Sequence, residues 1–302
     1  MNLDDLMHKP GLMRGERILI TGGGTGLGRV MAEAFLLLGA EVFICGRRGG
    51  VVSQTAAELN GQHASASGGR VVGLGCDIRQ PDAIAAMLDT IWADGGALTG
   101  LVNNAAGNFV SRTEDLSPRA FDAIANIVFR GSFFVTLECG KRWLKAGDRA
   151  SVLSILVTWV WNGSAFTVPS AMSKSGLNAM TQSLAVEWGG RGIRLNAIAP
   201  GSFPTEGAGA RLDPTGAGAL QAAENVPLKR TGRMPELANL AVHLMAKGSE
   251  YINGETIVID GGVYPATGGN FSNLTKWTDD DWRRARELID SRNVADRAQR
   301  TT

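Results

Sequence analysis

Two observations predict an α/β fold built on a parallel sheet. Short apolar runs alternate with helix-length stretches from residue 17 to residue 259, the order in which parallel strands and crossover helices follow one another. A glycine-rich turn joins the first of these runs to the first helix. At 302 residues the chain can bury one substantial core, so one domain is expected, with an arm at 1–14, a core at 15–263 and a tail at 264–302.

Seven runs read as strands: RILIT (17–21), EVFIC (41–45), VVGLGC (71–76), GLVNN (100–104), SVLSIL (151–156), RLNAIA (194–199) and TIVID (256–260). Each is short and dominated by aliphatic residues, as strands covered on both faces are. Between them, helices are expected at 27–38, 82–93, 117–145, 170–188 and 235–245. Residues 201–230 are rich in Gly, Ala and Pro and read as a long loop over the site, where a substrate lid is commonly built. Beyond Tyr264 the chain turns polar, and Thr278 with Asp281 forms a capping pair that opens a short charged helix through about Arg292.

Composition narrows the function classes. Apolar residues make up 44% and charged residues 20% of the chain, the proportions of an ordinary globule. A net charge of +1 leaves no electrostatic footprint for nucleic acid or an anionic membrane, so small-molecule chemistry is expected. Cys45, Cys76 and Cys139 are odd in number and lack metal-ligand spacing. They read as reduced core residues of a cytoplasmic protein with no metal site. The first residues, MNLDDLMHKPGLM, lack a basic start followed by an apolar run, so neither an export signal nor a membrane span is expected. His8, His63 and His243 stand in no motif and are assigned no chemistry.

The chemistry begins at TGGGTGLG, which is Thr21, Gly22, Gly23, Gly24, Thr25, Gly26, Leu27 and Gly28. Glycines allow positive φ and close backbone approach, and the opening helix offers unpaired N–H groups to a diphosphate. Strand, turn and helix in that order make the signal far more specific than the glycines alone. The second strand ends FICGRRGG, with no acid between Phe43 and Ala57 to bind ribose hydroxyls. Arg47 and Arg48 stand there instead and suit a 2′-phosphate, which favours NADP(H). Asp77, just past the third strand, is placed to accept from an adenine amino group. Asn104, Ala105, Ala106 and Gly107 end the fourth strand, where ligands of open α/β sheets bind.

TGGGTGLG, NNAAG (103–107), the helix carrying Lys174 and IAPGSF (198–203) together resemble the short-chain dehydrogenase/reductase family over nearly the whole chain. The resemblance implies a doubly wound, seven-stranded Rossmann fold, a nicotinamide cofactor and a homotetramer. It also implies cofactor contacts at Lys174 and at Pro200, Gly201, Ser202 and Phe203. The usual active site of that family is an Asn, a Ser, and a Tyr four residues before a Lys. The corresponding positions here hold Arg130, Val157, Ser170 and Lys174, so only the lysine remains. The chain's two tyrosines, Tyr251 and Tyr264, lie beyond the sixth strand. A serine hydroxyl is far less acidic than a phenol, whose reference pKa is about 10. Ordinary alcohol–ketone redox therefore loses its acid and base.

A narrower resemblance answers part of this difficulty. NNAAGNF (103–109), TVPSAMSKSG (167–176), ARLDPTG (210–216), ELANLA (236–241), YINGE (251–255) and GNFSNLTKWTDDDW (269–282) are similar to the 2,4-dienoyl-CoA reductases, above all the mitochondrial type. That likeness implies hydride addition from NADPH to a conjugated acyl-CoA thioester through a dienolate, which needs hydrogen-bond donors at the thioester oxygen. It assigns one donor to Asn108, and it places Trp159 where the subfamily has a tyrosine. Indole N–H can donate a hydrogen bond but is not a usable acid, so Trp159 reads as a weak donor or an aromatic wall. Lys174 would hold the nicotinamide ribose, with Ser170 on the same helix face. Arg79, Phe109, Ser117 and Arg211 match substrate-contacting positions, the arginines suiting CoA phosphate. Two other readings stay open: a reductase of a flat enone that stacks on Trp159 and Trp161, and a nucleotide-binding subunit that has lost its catalytic groups.

Overall fold

The computed structural model describes residues 1–205, 223–268 and 271–300, with backbone alone from 293 onward. Much of the expected lid, including Arg211, lies outside the described residues.

Seven parallel strands form one sheet in the order β3-β2-β1-β4-β5-β6-β7. They are β1 (Arg17–Thr21), β2 (Glu41–Gly46), β3 (Arg70–Gly75), β4 (Gly100–Asn103), β5 (Ala150–Ile155), β6 (Ile193–Pro200) and β7 (Thr256–Ile259). Each agrees with its predicted run to within a residue. The order reverses between β1 and β4, which opens a crevice at the carboxyl ends of the strands.

Side chains alternate between two cores, as the two-residue period of a strand requires. Ile18, Ile20, Val42 and Ile44 pack on one face with Met31 and Phe35 of α1 (Gly26–Leu37) and Leu237 and Ala241 of α8 (Met234–Met245). Leu19, Phe43, Leu101 and Val152 face the other way. There they meet Leu88 and Ile91 of α3 (Pro81–Ala93), Val135 and Trp143 of α5 (Ser132–Ala146), and Trp188 of α7 (Val168–Gly189). Coverage on both faces leaves every residue of β4 and β5 buried, Asn103, Ser151 and Ser154 included. The indole N–H of fully buried Trp143 donates to Leu98 O at 2.6 Å, so its burial leaves no polar atom unpaired.

Three elements differ from expectation. Between β2 and β3 runs α2 (Gly49–Leu59), hidden in the sequence because it opens on two glycines. Tertiary contact stabilises it: Val52, Thr55, Ala56 and Leu59 are buried, and Thr55 Oγ1 donates to Gly24 O at 2.9 Å. The expected helix at 117–145 divides into α4 (Pro118–Ala125) and α5, joined by a π-helical turn at Asn126–Gly131. The whole segment Pro118–Ala146 is long and apolar enough, by length and composition, to cross a membrane. Here Val135, Cys139 and Trp143 of α5 lie against the sheet. The last helix, α10 (Asp279–Arg300), runs beyond the expected end near Arg292. Its start is as predicted: Asp281 N–H donates to Thr278 Oγ1 at 3.2 Å, and Thr278 N–H donates to Asp281 Oδ2 at 2.9 Å. Two short helices complete the crevice, α6 (Trp159–Asn162) after β5 and α9 (Val263–Thr267) after β7.

Candidate active site

The glycine turn is latched to the neighbouring strand. Thr21 Oγ1, fully buried at the end of β1, accepts N–H from both Asn104 and Ala105 at 3.0 Å. Asn104 Nδ2 in turn donates to Thr21 O at 2.9 Å and Gly22 O at 3.2 Å. Gly22 has φ +66°, and a Cβ there would stand 2.9 Å from Ala105 Cα. At Gly28 a Cβ would fall 2.5 Å from both Asn104 Nδ2 and Gly22 O. These two positions admit only glycine. The first-turn N–H groups of α1, at Gly26, Leu27 and Gly28, have no intrahelical acceptor and remain available to an anion.

Three further observations fit a dinucleotide along this edge. Arg47 and Arg48 are exposed at the end of β2. Asp77 has a carboxyl held below the usual range, first by hydrogen bonds from Arg79 and also by the charge of Arg47. Ser202 Oγ, in the turn after β6, is buried without a partner among the described residues, a hydroxyl that a ligand could satisfy. Gly201 of that turn abuts Asp260, whose Cβ would lie 2.6 Å from an added Cβ. Arg79 itself is clasped by Asp77, with Nη2 at 2.5 Å from Oδ2 and Nε at 2.9 Å from Oδ1. The guanidinium expected at a substrate phosphate is paired with this carboxylate in the structure.

At the other end of the crevice, α7 carries Ser170 and Lys174, both 4% exposed. Lys174 Nζ donates to Ile155 O at the end of β5. Burial lowers its pKa from 10.5 to about 8, because the interior disfavours the ammonium. Ser173 is spent within the helix, its Oγ donating to Pro169 O at 2.7 Å. Asn108, half-buried after β4, has Oδ1 accepting Phe109 N–H at 2.9 Å. The amide oxygen accepts one hydrogen bond there, and Nδ2 has no hydrogen bond among the described residues. Trp159 opens α6, half-buried, while the next residue, Val160, packs with Phe109 against the cluster of Leu156, Leu177 and Met180.

Two other sequence candidates, Arg130 and Ser117, lie on or at the start of segments that pack against α7. Arg130 is exposed in the π-turn and lies over the Phe134 ring at 5.3 Å. Ser117 caps α4, accepting Ala120 N–H at 3.2 Å ahead of Pro118. Cys45 and Cys139 are fully buried and burial raises their thiol pKa, so neither is a nucleophile. A cleft of about 390 Å³ opens at the opposite end of β1 to β3, but Arg17, Glu41 and Arg70 in its wall pair with one another.

The structure also brings in residues that no motif marks. Tyr264 of α9 meets the Trp161 ring at 5.0 Å, and Asn162 Nδ2 donates to Thr267 Oγ1 at 3.4 Å, so the segment after β7 buttresses α6. Phe166 has a positive φ of 63°, and its carbonyl accepts Ser111 N–H at 2.9 Å, which ties the loop after α6 to the loop of Asn108.

Comparison with known proteins decides the family. The sequence profile described as "Enoyl-(Acyl carrier protein) reductase" matches residues 22–264. An uncharacterized oxidoreductase of Caenorhabditis elegans is 40% identical over 291 residues, covering 94% of this chain and 91% of that protein. The chain belongs to the short-chain dehydrogenase/reductase family. A second relative of this oxidoreductase, named "Probable 2,4-dienoyl-CoA reductase 3" and also from C. elegans, is 39% identical over 289 residues, covering 94% of this chain and 92% of its own. Among solved structures, a short chain dehydrogenase from Bacillus anthracis superposes with a TM-score of 0.76 at 36% identity, covering 83% of this chain and 98% of that one. Short-chain dehydrogenases/reductases use nicotinamide cofactors, and the latched glycine turn and the Ser202 hydroxyl, unpaired among the described residues, are chemically suited to hold one.

Proposed function

We propose that this short-chain dehydrogenase/reductase is an NADPH-dependent reductase of conjugated acyl-CoA thioesters. The observation that carries the reading is the half-buried Asn108 amide after β4, whose oxygen accepts Phe109 N–H and whose Nδ2 has no hydrogen bond among the described residues, leaving it free to donate. The relative named as a dienoyl-CoA reductase, similar over almost the full chain, supports the substrate class.

Arg47 and Arg48 would hold the 2′-phosphate, the first turn of α1 the diphosphate, and Lys174 the nicotinamide ribose. A bound NADPH would supply the hydride. Asn108 Nδ2 would then donate to the thioester oxygen as negative charge gathers on it, a preorganised donor that needs no reorganisation when the charge appears. Buried Lys174 would carry a positive charge below about pH 8. With Ser170 and Trp159 in place of phenols, the proton that completes reduction at carbon comes from water or another group at the rim. Exposed Phe121, Phe129 and Phe133 on the 118–146 segment support assembly of copies through that face, for which a homotetramer is the proposed state.

A second reading rests on Trp161, 41% exposed beside Trp159, which would suit a flat enone that is not a thioester. One assay separates them: NADPH oxidation is followed with a dienoyl-CoA and with the free enone of equal length. Turnover of the thioester alone supports the proposal. Turnover of the free enone alone overturns it, and cofactor binding without any turnover marks a nucleotide-binding subunit.

A further inference from the structure

Phe166 is built against two ordinary preferences at once. Its φ of 63° lies in the left-handed region, where a bulky side chain is strained and glycine or asparagine is usual. Its ring is also 59% exposed, so the residue gains little from burial. The sequence had a cheap solution close by, since Gly163 already takes φ 71° in the same loop. Neither folding nor solubility accounts for a phenylalanine here.

Its surroundings do. The Phe166 carbonyl accepts Ser111 N–H at 2.9 Å, and Thr167 Oγ1 donates to Ser164 Oγ at 2.8 Å. Thr167 O then receives Ser170 N–H and Ala171 N–H, at 3.0 and 3.1 Å, at the start of α7. The strained residue is thus clamped between the Asn108 loop and the helix of Ser170 and Lys174. Val110, adjacent in sequence to Ser111, and Trp161 of α6 are likewise apolar and exposed, at 36% and 41%. Strain held by surrounding hydrogen bonds at the edge of a site is the pattern of a residue kept for its ligand.

We propose that Phe166 is a specificity-determining residue: its ring forms the outer wall against which the apolar tail of the substrate packs, away from the thioester. The proposal rests on the acyl-thioester reading above. A short acyl chain ends before this wall and a long one reaches it, so Phe166 sets a preference for length without touching the reacting atoms.

The test compares Phe166→Gly and Phe166→Leu with the wild-type holoenzyme on a short-chain and a long-chain dienoyl-CoA. Phe166→Gly releases the backbone strain, so its urea midpoint should rise, while Phe166→Leu keeps the strain and a smaller apolar group. KM for the long chain should rise roughly tenfold in the glycine variant and less in the leucine variant. KM for the short chain, and kcat for both, should stay within about twofold. An equal change for both chain lengths overturns the proposal, as does a fall in the urea midpoint of the glycine variant. So does a change of oligomeric mass in sedimentation, which would make the ring an interface residue. If the wild type reduces no dienoyl-CoA, the parent reading has failed. Calorimetry with saturated acyl-CoAs of two lengths then decides this inference separately: a length preference in wild type that Phe166→Gly abolishes supports it, and the absence of any preference, or its survival in the variant, overturns it.

Discussion

Lys174 allows a stability experiment whose size follows from its burial. The lysine is 4% exposed and its pKa falls from 10.5 to about 8. In the unfolded chain the amine keeps its proton up to the ordinary value, whereas the folded protein releases it near 8. Between these limits unfolding takes up a proton, so this group makes the protein more stable as pH rises. The contribution is complete above 10.5 and is lost as pH falls through about 8. Its full size is about 3 kcal/mol, from 1.36 kcal/mol for each pKa step. Lys174→Met keeps a side chain of similar length and has no such titration. Urea unfolding of both proteins without cofactor, at intervals from pH 7 to 10.5, should show the variant losing about 3 kcal/mol relative to wild type over that range. The lost Nζ bond to Ile155 O shifts the two curves by a constant and leaves this slope intact. Curves that stay parallel would refute the claim that the ammonium is desolvated in the folded state.

Arg47→Asp should weaken NADPH far more than NADH in equilibrium fluorescence titrations, because an acid there repels a 2′-phosphate and accepts ribose hydroxyls; equal losses would remove the 2′-phosphate assignment. Asn108→Ala should lower kcat with a dienoyl-CoA by roughly 10²–10³ while leaving NADPH affinity within a few fold, and normal turnover would place the reacting oxygen elsewhere. Trp159→Tyr should raise turnover of a small dienoyl-CoA by restoring a hydroxyl at that position. If Trp159 is instead only a wall, removing its ring should reduce activity by an amount matching about 0.5–1.5 kcal/mol.

The sheet was legible because its strands are short runs rich in aliphatic residues, and burial on both faces rewards that pattern. α2 was not, since Gly49 and Gly50 disguise its first turn and its stability comes from Val52 and Leu59 in the core. The division of the 118–146 segment was hidden too, because a π-turn at Asn126–Gly131 carries no breaker residue other than Gly131 at its end. Within the site, the four-residue spacing of Ser170 and Lys174 was readable from helix geometry. The hydrogen bond that Asn108 Oδ1 accepts was not, because it comes from the adjacent backbone N–H and has no counterpart in residue type or spacing. The same holds for Arg79, whose pairing with Asp77 is a local choice between two anionic partners, a carboxylate and a phosphate, and for Phe166, whose φ contradicts its residue type. Short spacing rules find faces of elements; they do not fix torsions or choose among hydrogen-bond partners.

The latch joining Thr21, Asn104 and Ala105 bears on how fast a nucleotide can be captured. Four hydrogen bonds already hold the glycine turn against the end of β4. A loop set in place when the chain folds has no freedom left to surrender when its ligand arrives. Association at this edge should then be governed by diffusion and by the pull of Arg47 and Arg48 on phosphate, and so should slow with added salt. Selectivity between nucleotides would be expressed mainly in how long each one stays.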